Sequence, residues 1–428
     1  MLKTWKLLVF PGGTEIGLEI NAALRDCKEV ELYSAGAAES NHASFVFKNH
    51  DVVRSVTHKG WIEELNRVII DRKIDFVFPA HDDVVLALSR ERENINVPIL
   101  SSPLETCEIA RSKRATYRHL ASHIATPIVY QDPQQVPGYP VFVKPDCGQG
   151  SKNAYKINSQ RELLAALDAH PDLIILEYLP GEEYTVDCFS DRDRGILFCS
   201  ARKRDRVRSG ISVSSHVVED PAFGRIAEKI SSRMVFYGAW FFQLKRSGAG
   251  ELVLLEVAPR IAGAMALSRV AGVNLPLLTL FEALRYRVKI LKNRMTVQLD
   301  RAFINRYAGN ITPKHIYIDL DDTLILKGKV NLSIVRFIFQ SINSGACLYL
   351  ITRHTSDVNR TLAQHRLVGV FDRIIHLKNG EPKSTAIEFR SDAIFIDDSF
   401  SERLEVSETT GIATFDNSMI ELLQDYRV

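Results

Sequence analysis

Short apolar runs alternate with longer segments whose apolar positions recur at helical spacing, beginning close to the first residue. The runs KLLVF, VELYS and DFVFPA are rich in β-branched and aromatic residues and are typical of buried strands. The segments EIGLEINAALR and DDVVLALSRER each have one apolar face, as helices that pack on a sheet do. This alternation predicts an α/β fold with a parallel sheet in the first part of the chain.

The pattern then changes three times along the chain. One helical segment is predicted over 104–123, and from 139 to 191 strands are separated by glycine-rich turns (YPVFVKP, NAYKI, LIILEYL, EYTVDCF). From about 195 to 310, strands such as AWFFQLK and ELVLLEV mix with helices such as AFGRIAEKISSRM. A new strand and helix alternation begins near 312 (IYIDL, SIVRFIFQSINS, CLYLIT, AIFIDD), so we place the main domain boundary in RYAGNITPK.

Length, composition and charge narrow the function classes. A chain of 428 residues with 46% hydrophobic and 25% charged residues predicts two or three ordinary globular domains. No apolar run is long enough for a signal peptide or a spanning helix, which predicts a cytoplasmic protein without a membrane partner. A net charge of +2, with one local basic cluster, argues against nucleic acid, and six scattered cysteines indicate reduced thiols without a role in metal binding.

Lysines suited to phosphate stand at two places in the middle of the chain. Lys113 lies in RSKRATYRHL, and Lys144 ends the strand YPVFVKP just before Gly148, Gly150 and Ser151. A lysine supplies a point charge, and a pliable glycine loop can turn backbone N–H groups toward phosphate oxygens. The alternative interpretation is a solvent-exposed lysine beside a hairpin turn.

A second piece, LIILEYLPGEEYTVDCF, places carboxylates on both sides of a turn. Glu177 ends a strand beside Tyr178 and Leu179, whose backbone can contact an adenine edge, and Glu183 can bind ribose hydroxyls. The alternative is an exposed turn with charged flanks.

A third piece, FFQLKRSGAGELVLLEVAPRIAG, joins two strands through a turn. Gln243 on the first strand and Glu256 at the end of the second offer the oxygen ligands that Mg²⁺ prefers. Arg260, four residues later, can hold a carboxylate or a phosphoryl group.

In order and spacing, these pieces resemble ATP-grasp enzymes of the carbamoyl-phosphate-synthetase-like and carboxylate–amine ligase type, over about residues 5 to 308. The residues that the resemblance assigns to ATP are Lys113, Lys144, the lid loop at 148–152, Glu177, Tyr178, Leu179 and Glu183. It assigns Mg²⁺ to Glu256 with Gln243 nearby. It also implies that the basic segment 204–208 faces the reacting phosphate, with Arg206 preferred among its arginines.

One position departs from the family pattern. The family usually has asparagine in the E-x-N-P-R segment, where this chain has Ala258, so an amide ligand of a second Mg²⁺ is missing. Water or another side chain fills that place, or one metal suffices, or the domain has lost catalysis.

In the N-terminal part, FPGGTEIG is expected to face the substrate. In FPAHDDVV we expect Asp82 and Asp83 to cap a helix, with substrate contact as the alternative.

A second group of polar residues follows the strands near the end of the chain. Asp319 and Asp321 follow the run IYI, Thr352 ends CLYLIT, Lys383 lies in GEPKSTAIEF, and Asp397 follows AIFI. Because parallel strands end at one edge of a sheet, these side chains are expected to meet there.

This group resembles the four motifs of the haloacid dehalogenase (HAD) superfamily, over about residues 312 to 428. The resemblance implies that Asp319 is a nucleophile that becomes an aspartyl-phosphate and that Asp321 is the general acid and base. Thr352 would bind phosphoryl oxygens, and Lys383 would neutralise charge. The Mg²⁺ ligands that it implies are Asp319, Asp321, Asp397 and Asp398, of which Asp398 is either a ligand or a partner of Lys383.

Two features of this segment bear on its substrate. In this superfamily an aspartate at the position of Asp321 is typical of phosphatases and phosphotransferases, which favours phosphoester hydrolysis. The intervals between Asp319, Thr352 and Lys383 are too short for a cap domain. The site is then open and suited to a large phosphorylated substrate, or the neighbouring domain covers it.

The predicted fold is therefore α/β throughout. It comprises a Rossmann-like pre-ATP-grasp domain at 1–110, an ATP-grasp domain at 111–310 with a lid at about 120–190, and a capless HAD-like Rossmannoid domain at 311–428. The predicted function is a bifunctional enzyme that uses ATP and Mg²⁺. Its ligase part would join a small-molecule carboxylate to an amine through an acyl phosphate, and its phosphatase part would act on a related phosphorylated substrate.

Two other functions stay open at this stage. One is a phosphatase regulated by an ATP-binding module without turnover, for which Ala258 is the sign. The other is a nucleic-acid end-processing enzyme, against which the near-neutral charge counts. No motif indicates the oligomeric state, and a homodimer is one option.

Overall fold

A computed structural model describes residues 3–148, 150–378 and 380–427. The chain divides into two compact units, the first ending at Phe303 and the second spanning Ile304–Arg427. The sequence placed this boundary a few residues later. Among the described residues, no single helix has the length and hydropathy to cross a membrane, and one bent pair, Gly263–Val270 with Leu275–Ala283, passes that test by length and composition alone.

Unit 1 opens with a parallel sheet of strand order β3-β2-β1-β4. Its elements in chain order are β1 (Trp5–Phe10), α1 (Glu15–Leu24), β2 (Val30–Gly36), β3 (His50–Val52), α2 (Trp61–Arg72), β4 (Phe76–Pro79) and α3 (Asp82–Arg90). Alternation along β1 explains its burial, since Leu7 and Val9 pack with α1 while Leu8 and Phe10 pack with α2 and α3. The predicted parallel sheet with helices on both faces is confirmed.

Two helices follow where the sequence predicted one. They are α4 (Leu104–Arg111) and α5 (Lys113–Leu120). The chain breaks at Ser112, whose backbone is extended (φ −103°, ψ 122°) and whose hydroxyl accepts the Ala115 N–H at 3.1 Å. This cap satisfies a helix N–H that would otherwise lack a partner, so a new helix starts at Lys113.

The predicted lid is a small antiparallel sheet of order β5-β8-β6-β7. Its elements are β5 (Val129–Tyr130), β6 (Val141–Pro145), β7 (Tyr155–Ile157), α6 (Gln160–Ala169) and β8 (Leu173–Glu177). The sequence reading missed α6. Its signal was present, since Ser159 caps the helix by accepting the Glu162 N–H and Leu163 packs into the lid core.

An antiparallel sheet of order β13-β12-β9-β10-β11-β14 completes unit 1. Its elements are β9 (Glu183–Asp191), β10 (Gly195–Arg208), β11 (Ile211–Val218), α7 (Pro221–Ser231), β12 (Gly238–Arg246), β13 (Leu252–Ala258), α8 (Ala266–Val270), α9 (Leu275–Ala283) and β14 (Gln298–Asp300). α7 packs on one face of this sheet through Ala227 and Ile230, and α9 packs through Leu275 and Leu280 with Phe241 and the N-terminal sheet.

Unit 2 is built on a parallel sheet of order β19-β18-β15-β20-β21. Its elements are β15 (His315–Ile318), β16 (Ile325–Leu326), β17 (Lys329–Val330), α10 (Leu332–Asn343), β18 (Cys347–Thr352), α11 (Val358–Gln364), β19 (Arg373–His376), β20 (Ala393–Ile396), α12 (Phe400–Thr410) and β21 (Ala413–Phe415). Along β15, Ile316 and Ile318 pack with α10, and Tyr317 packs with α12 on the other face. The carboxyl ends of all five strands therefore lie at one edge.

Candidate active sites

The break before α5 brings Lys113 to the end of β6. Asp146, just beyond that strand, accepts the Ser112 hydroxyl at 2.7 Å. The Lys113 Nζ donates to the carbonyl oxygens of Asp146 at 3.2 Å and Gly148 at 3.1 Å. The lysine is buried and lies against the start of the predicted lid loop.

Lys113 and Lys144 share two carboxylate neighbours, Glu256 and Asp146, of which Glu256 acts more strongly on both. Lys144 Nζ donates to the Leu255 carbonyl at 3.3 Å, next to Glu256 on β13. Burial lowers the pKa of Lys144 to about 8, and nearby carboxylates, Glu256 first among them, oppose that shift. Burial also lowers the pKa of Lys113, with Glu256 again opposing it. The ammonium groups of Lys113 and Lys144 are thus partly desolvated and lie close together. A bound polyanion would stabilise both groups in their charged, protonated form.

One arginine connects the predicted ribose and metal residues. Arg204 donates to the Glu183 carboxylate and, at 3.0 Å, to Gln243 Oε1, and its side chain is 6% exposed. Arg206 is 61% exposed and pairs with Asp300 at 2.9 Å. The sequence-based preference for Arg206 is therefore corrected, because the side chain among the site residues is that of Arg204.

The oxygen donors predicted for Mg²⁺ lie side by side on two strands. Gln243 of β12 and Glu256 of β13 are opposite each other in the antiparallel register. This carboxylate and amide pair fits a hard divalent cation. Ala258, two residues further along β13, is buried and has no side-chain oxygen to bind a metal ion. The amide ligand that the family pattern has at this position is therefore absent from the site.

Arg260 is already held by a carboxylate within unit 1. Its Nε and Nη2 donate to the two oxygens of Asp82 at 2.6 Å each, and its Nη1 donates to the Ile261 carbonyl at 2.9 Å. Burial favours the neutral form of Asp82, but Arg260 outweighs it and lowers the pKa of that carboxyl. The helix cap at this turn is the His81 side chain, which accepts the Asp83 N–H at 3.3 Å. The expected capping by the aspartates is thus wrong, because Asp82 is turned toward Arg260.

The predicted adenine residues lie at the end of the lid sheet. Glu177 Oε1 accepts the Ile128 N–H at 3.0 Å, which ties β8 to the segment before β5. Lys156 Nζ lies 4.6 Å from the centre of the Tyr178 ring, and Leu179 is buried. Adenine contact by these residues stays a prediction.

The lid loop lies against the turn between β10 and β11. Gln149, within the predicted 148–152 loop, is outside the described residues. Gly150 and Gly210 both have positive φ, and a Cβ on Gly210 would lie 2.3 Å from the Gly150 carbonyl carbon. Only glycine fits at 210 without moving the loop. Ser151 also has a positive φ of 53°, and Gly148 packs beside Pro145.

In unit 2 the predicted residues meet at the carboxyl edge of the sheet. Lys383 Nζ donates to Asp319 Oδ1 and to Asp397 Oδ2 at 2.6 Å each, and all three side chains are nearly inaccessible. Burial, and the neighbouring Asp397, raise the pKa of Asp319 to about 7 although Lys383 opposes the shift. Burial also raises the pKa of Asp397. The two carboxylates share one cation, so a second positive charge at this place would relieve their repulsion.

Asp398 completes a set of carboxylates that could hold that charge. One oxygen from each of Asp319, Asp397 and Asp398 lies within 4.8 Å of the others. Two opposite ligands of Mg²⁺ are about 4.2 Å apart, so this all-oxygen set fits the ion with small adjustments. Arg403 Nη1 donates to the backbone carbonyls of both Asp397 and Asp398 at 2.7 Å, which fixes this segment.

Thr352 and Asp321 flank this group. Thr352 ends β18, is fully buried, and accepts the His354 N–H at 3.0 Å. The Asp321 side chain is 52% exposed, and its two oxygens lie 2.9 and 3.0 Å from His354 Nδ1. Asp321 and the exposed Asp398 therefore lie at the mouth of the site, and the buried residues Asp319, Thr352, Lys383 and Asp397 lie in its floor.

The connections around this edge are short. Between β15 and β18 the described chain contains the hairpin β16–β17 and α10, and between β18 and Lys383 it contains α11 and β19. Within the described residues neither connection holds a cap domain. The edge of the sheet in unit 2 is accordingly not covered by an insertion of its own.

The sequence reading did not identify several residues that complete these sites. These residues are Asp146 in the first site and Thr323, His354 and Arg403 in the second. Arg204 and Asp82 were named from the sequence, the first within the basic segment 204–208 and the second as a helix cap with substrate contact as the alternative. His354 follows a predicted strand end, which is a signal that could have identified it. Arg403 lies inside a helix and carried no such signal.

Comparisons with known proteins agree with the fold of unit 1. Residues 169–301 match a family model described as "ATP-grasp in the biosynthetic pathway with Ter operon". A search of curated protein sequences found no match.

Solved structures share this fold at low sequence identity. The biotin carboxylase domain of 2-oxoglutarate carboxylase from Hydrogenobacter thermophilus, with bound MgADP, is 13% identical with a TM-score of 0.56, over 68% of this chain and 72% of that one. N5-carboxyaminoimidazole synthetase from Staphylococcus aureus with ADP is 15% identical (TM-score 0.56, 68% and 80% coverage). L-amino acid ligase from Bacillus licheniformis is 16% identical (TM-score 0.53, 67% and 75% coverage). The predicted ATP-grasp fold is thus confirmed, and the roles of individual residues stay predictions.

Proposed function

We propose that the chain is a bifunctional enzyme in which unit 1 is an ATP-dependent carboxylate–amine ligase and unit 2 is a HAD-type phosphatase. The observation that carries the first half is the meeting of Lys113, Lys144 and Glu256 at the end of β6. Solved structures of the same fold support it: a biotin carboxylase domain with MgADP, an N5-carboxyaminoimidazole synthetase with ADP, and an L-amino acid ligase. A small-molecule carboxylate, an amine and a cytoplasmic location belong to this proposal.

In the ligase reaction a carboxylate oxygen of the substrate attacks the γ-phosphorus of ATP and ADP leaves. The amine nitrogen then attacks the acyl carbon, phosphate leaves, and the nitrogen loses a proton to give the amide. Lys113 and Lys144 hold and neutralise phosphate oxygens, and Arg204 lies next to the proposed ribose and metal residues. Mg²⁺, held by Glu256 and Gln243, would neutralise charge on the phosphates.

The test uses purified full-length protein with Mg²⁺-ATP and pools of carboxylates and amines. We expect ADP and phosphate, and loss of ADP release in Glu256→Gln but not in the matched control Glu251→Gln on an exposed turn. Formation of AMP and pyrophosphate would contradict the acyl-phosphate route.

The phosphatase proposal for unit 2 rests on the position of Lys383, which donates hydrogen bonds to both Asp319 and Asp397. An Asp319 oxygen would attack the substrate phosphorus, the ester oxygen would leave with a proton from Asp321, and an aspartyl-phosphate would remain. Water would then attack the phosphorus, pass its proton to Asp321, and release phosphate. Mg²⁺ on the three carboxylates would offset the charge that repels a phosphate.

Generic phosphate esters with Mg²⁺ test this half. We expect hydrolysis by the wild type and none by Asp319→Asn, with the exposed and remote Asp425→Asn as the matched control. Unchanged hydrolysis in Asp319→Asn would contradict the proposed nucleophile.

Two observations favour a second candidate, in which unit 1 binds ATP without turnover and regulates the phosphatase. Ala258 offers no ligand, and Arg260 is fully engaged with Asp82 and Ile261. Tight ATP binding without ADP formation across the substrate pools would favour this candidate over the ligase.

A further inference from the structure

A histidine in unit 2 connects the two polar residues at the mouth and floor of the proposed phosphatase site. His354 Nδ1 lies 2.9 and 3.0 Å from the Asp321 oxygens, and the His354 backbone N–H donates to Thr352 Oγ1 at 3.0 Å. The His354 side chain is 16% exposed, whereas that of Asp321 is 52% exposed. Within residues 3–148, 150–378 and 380–427, both hydrogen-bond contacts of the Asp321 carboxylate are with this imidazole.

We propose that His354 is a positioning residue that orients the Asp321 carboxyl group toward the leaving-group oxygen. The inference rests on the proposed phosphatase function and deepens it. Without His354 the Asp321 side chain would be free to rotate into solvent, because it is 52% exposed and the imidazole is what holds its carboxylate. A proton donor must be aligned with the reacting oxygen to act efficiently.

The imidazole is itself fixed from its other side. His354 Nε2 lies 2.8 Å from the Thr361 hydroxyl on α11, and the His354 carbonyl accepts from His376 Nε2 at 2.8 Å. An imidazole with its proton on Nδ1 satisfies both side-chain contacts, because the Thr361 hydroxyl can then donate to Nε2. Such outer contacts are what hold a working side chain in one geometry.

The role predicts which substrates depend on His354. In the first displacement the bond from Asp319 to phosphorus forms, the ester bond breaks, and the Asp321 proton passes to the departing oxygen. An alkoxide is a strong base and needs that proton, whereas a nitrophenolate leaves readily without it. Loss of orientation at Asp321 should therefore slow alkyl esters much more than nitrophenyl esters, while a general loss of structure should slow both equally.

The test measures leaving-group release in single turnovers with enzyme in excess, which reports the first displacement alone. For His354→Ala we expect alkyl phosphate cleavage to fall about 30- to 100-fold and nitrophenyl phosphate cleavage to fall less than about threefold. His354→Asn should recover most of the loss, since its amide nitrogen can stand where Nδ1 stands. His365→Ala, at the end of α11, is the control and should change neither rate.

Three outcomes decide the matter. An equal loss on both esters in His354→Ala, or no recovery in His354→Asn, would overturn the role. If His354→Ala does not fold, Thr361→Val replaces it and must show the same split between esters at smaller size; an equal effect on both esters overturns the role. A wild type that cleaves neither ester would instead refute the proposed phosphatase, a result distinct from the other two.

Discussion

Raising the pH from 7 to 9 should weaken ATP binding to unit 1, because it discharges Lys144. Burial lowers the pKa of this ammonium to about 8, and the carboxylates of Glu256 and Glu183 recover only part of the loss. ATP phosphates favour the charged form, so the pKa rises when nucleotide binds. Linkage then requires affinity to fall as the pH rises above the pKa of the free protein.

The size of the effect follows from the fraction of charged Lys144. With a pKa of about 8, roughly nine tenths of the side chains are protonated at pH 7 and roughly one tenth at pH 9. If binding requires the ammonium, Kd should rise about tenfold, or about 1.4 kcal/mol. Burial also lowers the pKa of Lys113, and loss of its charge would weaken ATP binding in the same direction.

Calorimetric titration with Mg²⁺-ATP at constant ionic strength measures this change. Lys144→Arg is the matched control, since a guanidinium stays protonated across the range and should remove at least half of the slope of log Kd against pH. A wild-type Kd that is the same at pH 7 and pH 9 would refute the reasoning. An equal slope in Lys144→Arg would show that another group is responsible.

Three further predictions concern other parts of the chain. Asp187→Asn leaves the buried Arg202 unpaired and should lower the free energy of unfolding by about 3–5 kcal/mol in urea titrations, whereas Asp193→Asn at an exposed pair should cost less than about 1 kcal/mol. Chelation of divalent cations should abolish phosphate-ester hydrolysis and added Mg²⁺ should restore it, and activity that persists with chelator would contradict the carboxylate site in unit 2. Arg403→Met removes the donor that anchors the Asp397 carbonyl and should raise the Mg²⁺ concentration needed for half-maximal hydrolysis about 10- to 100-fold, with kcat at saturating Mg²⁺ less affected.

Strand and helix alternation predicted much of the architecture because the buried faces are periodic. The strands that end at Asp319, Thr352 and Asp397 were recognised from apolar runs, and parallel pairing brings their ends to one edge. Lys383 could be assigned from the order of motifs although it is 64 residues from Asp319 in the chain.

The sequence could not show which of Arg204 and Arg206 faces the site, and the reason is a local irregularity in β10. Strict alternation puts both arginines on one face of a strand. The pairing of β10 with β11 shifts register between Arg204 and Arg206, so this rule fails there. Arg204 consequently points to Glu183 and Arg206 points to Asp300.

The contact between Arg260 and Asp82 depends on the tertiary fold in the same way. These residues are 178 positions apart, and neither the strand before Arg260 nor the helix that begins at Asp82 indicates that they meet. The helix break at Ser112 was missed for a local reason. The helical spacing of apolar residues continues across Ser112, and the break comes from the extended serine, which caps the start of α5. The periodicity of apolar residues does not determine which distant side chains meet or where a helix breaks. Tertiary packing determines the first and helix capping the second.

The central claim is that one chain carries two independent sites for phosphate chemistry. The most direct measurement assays wild type, Glu256→Gln and Asp319→Asn for both ADP release and phosphate-ester hydrolysis in the full-length protein. The account predicts a crossed result, in which Glu256→Gln loses ADP release alone and Asp319→Asn loses ester hydrolysis alone. Loss of both activities from either single substitution, with the fold intact by circular dichroism, would contradict it.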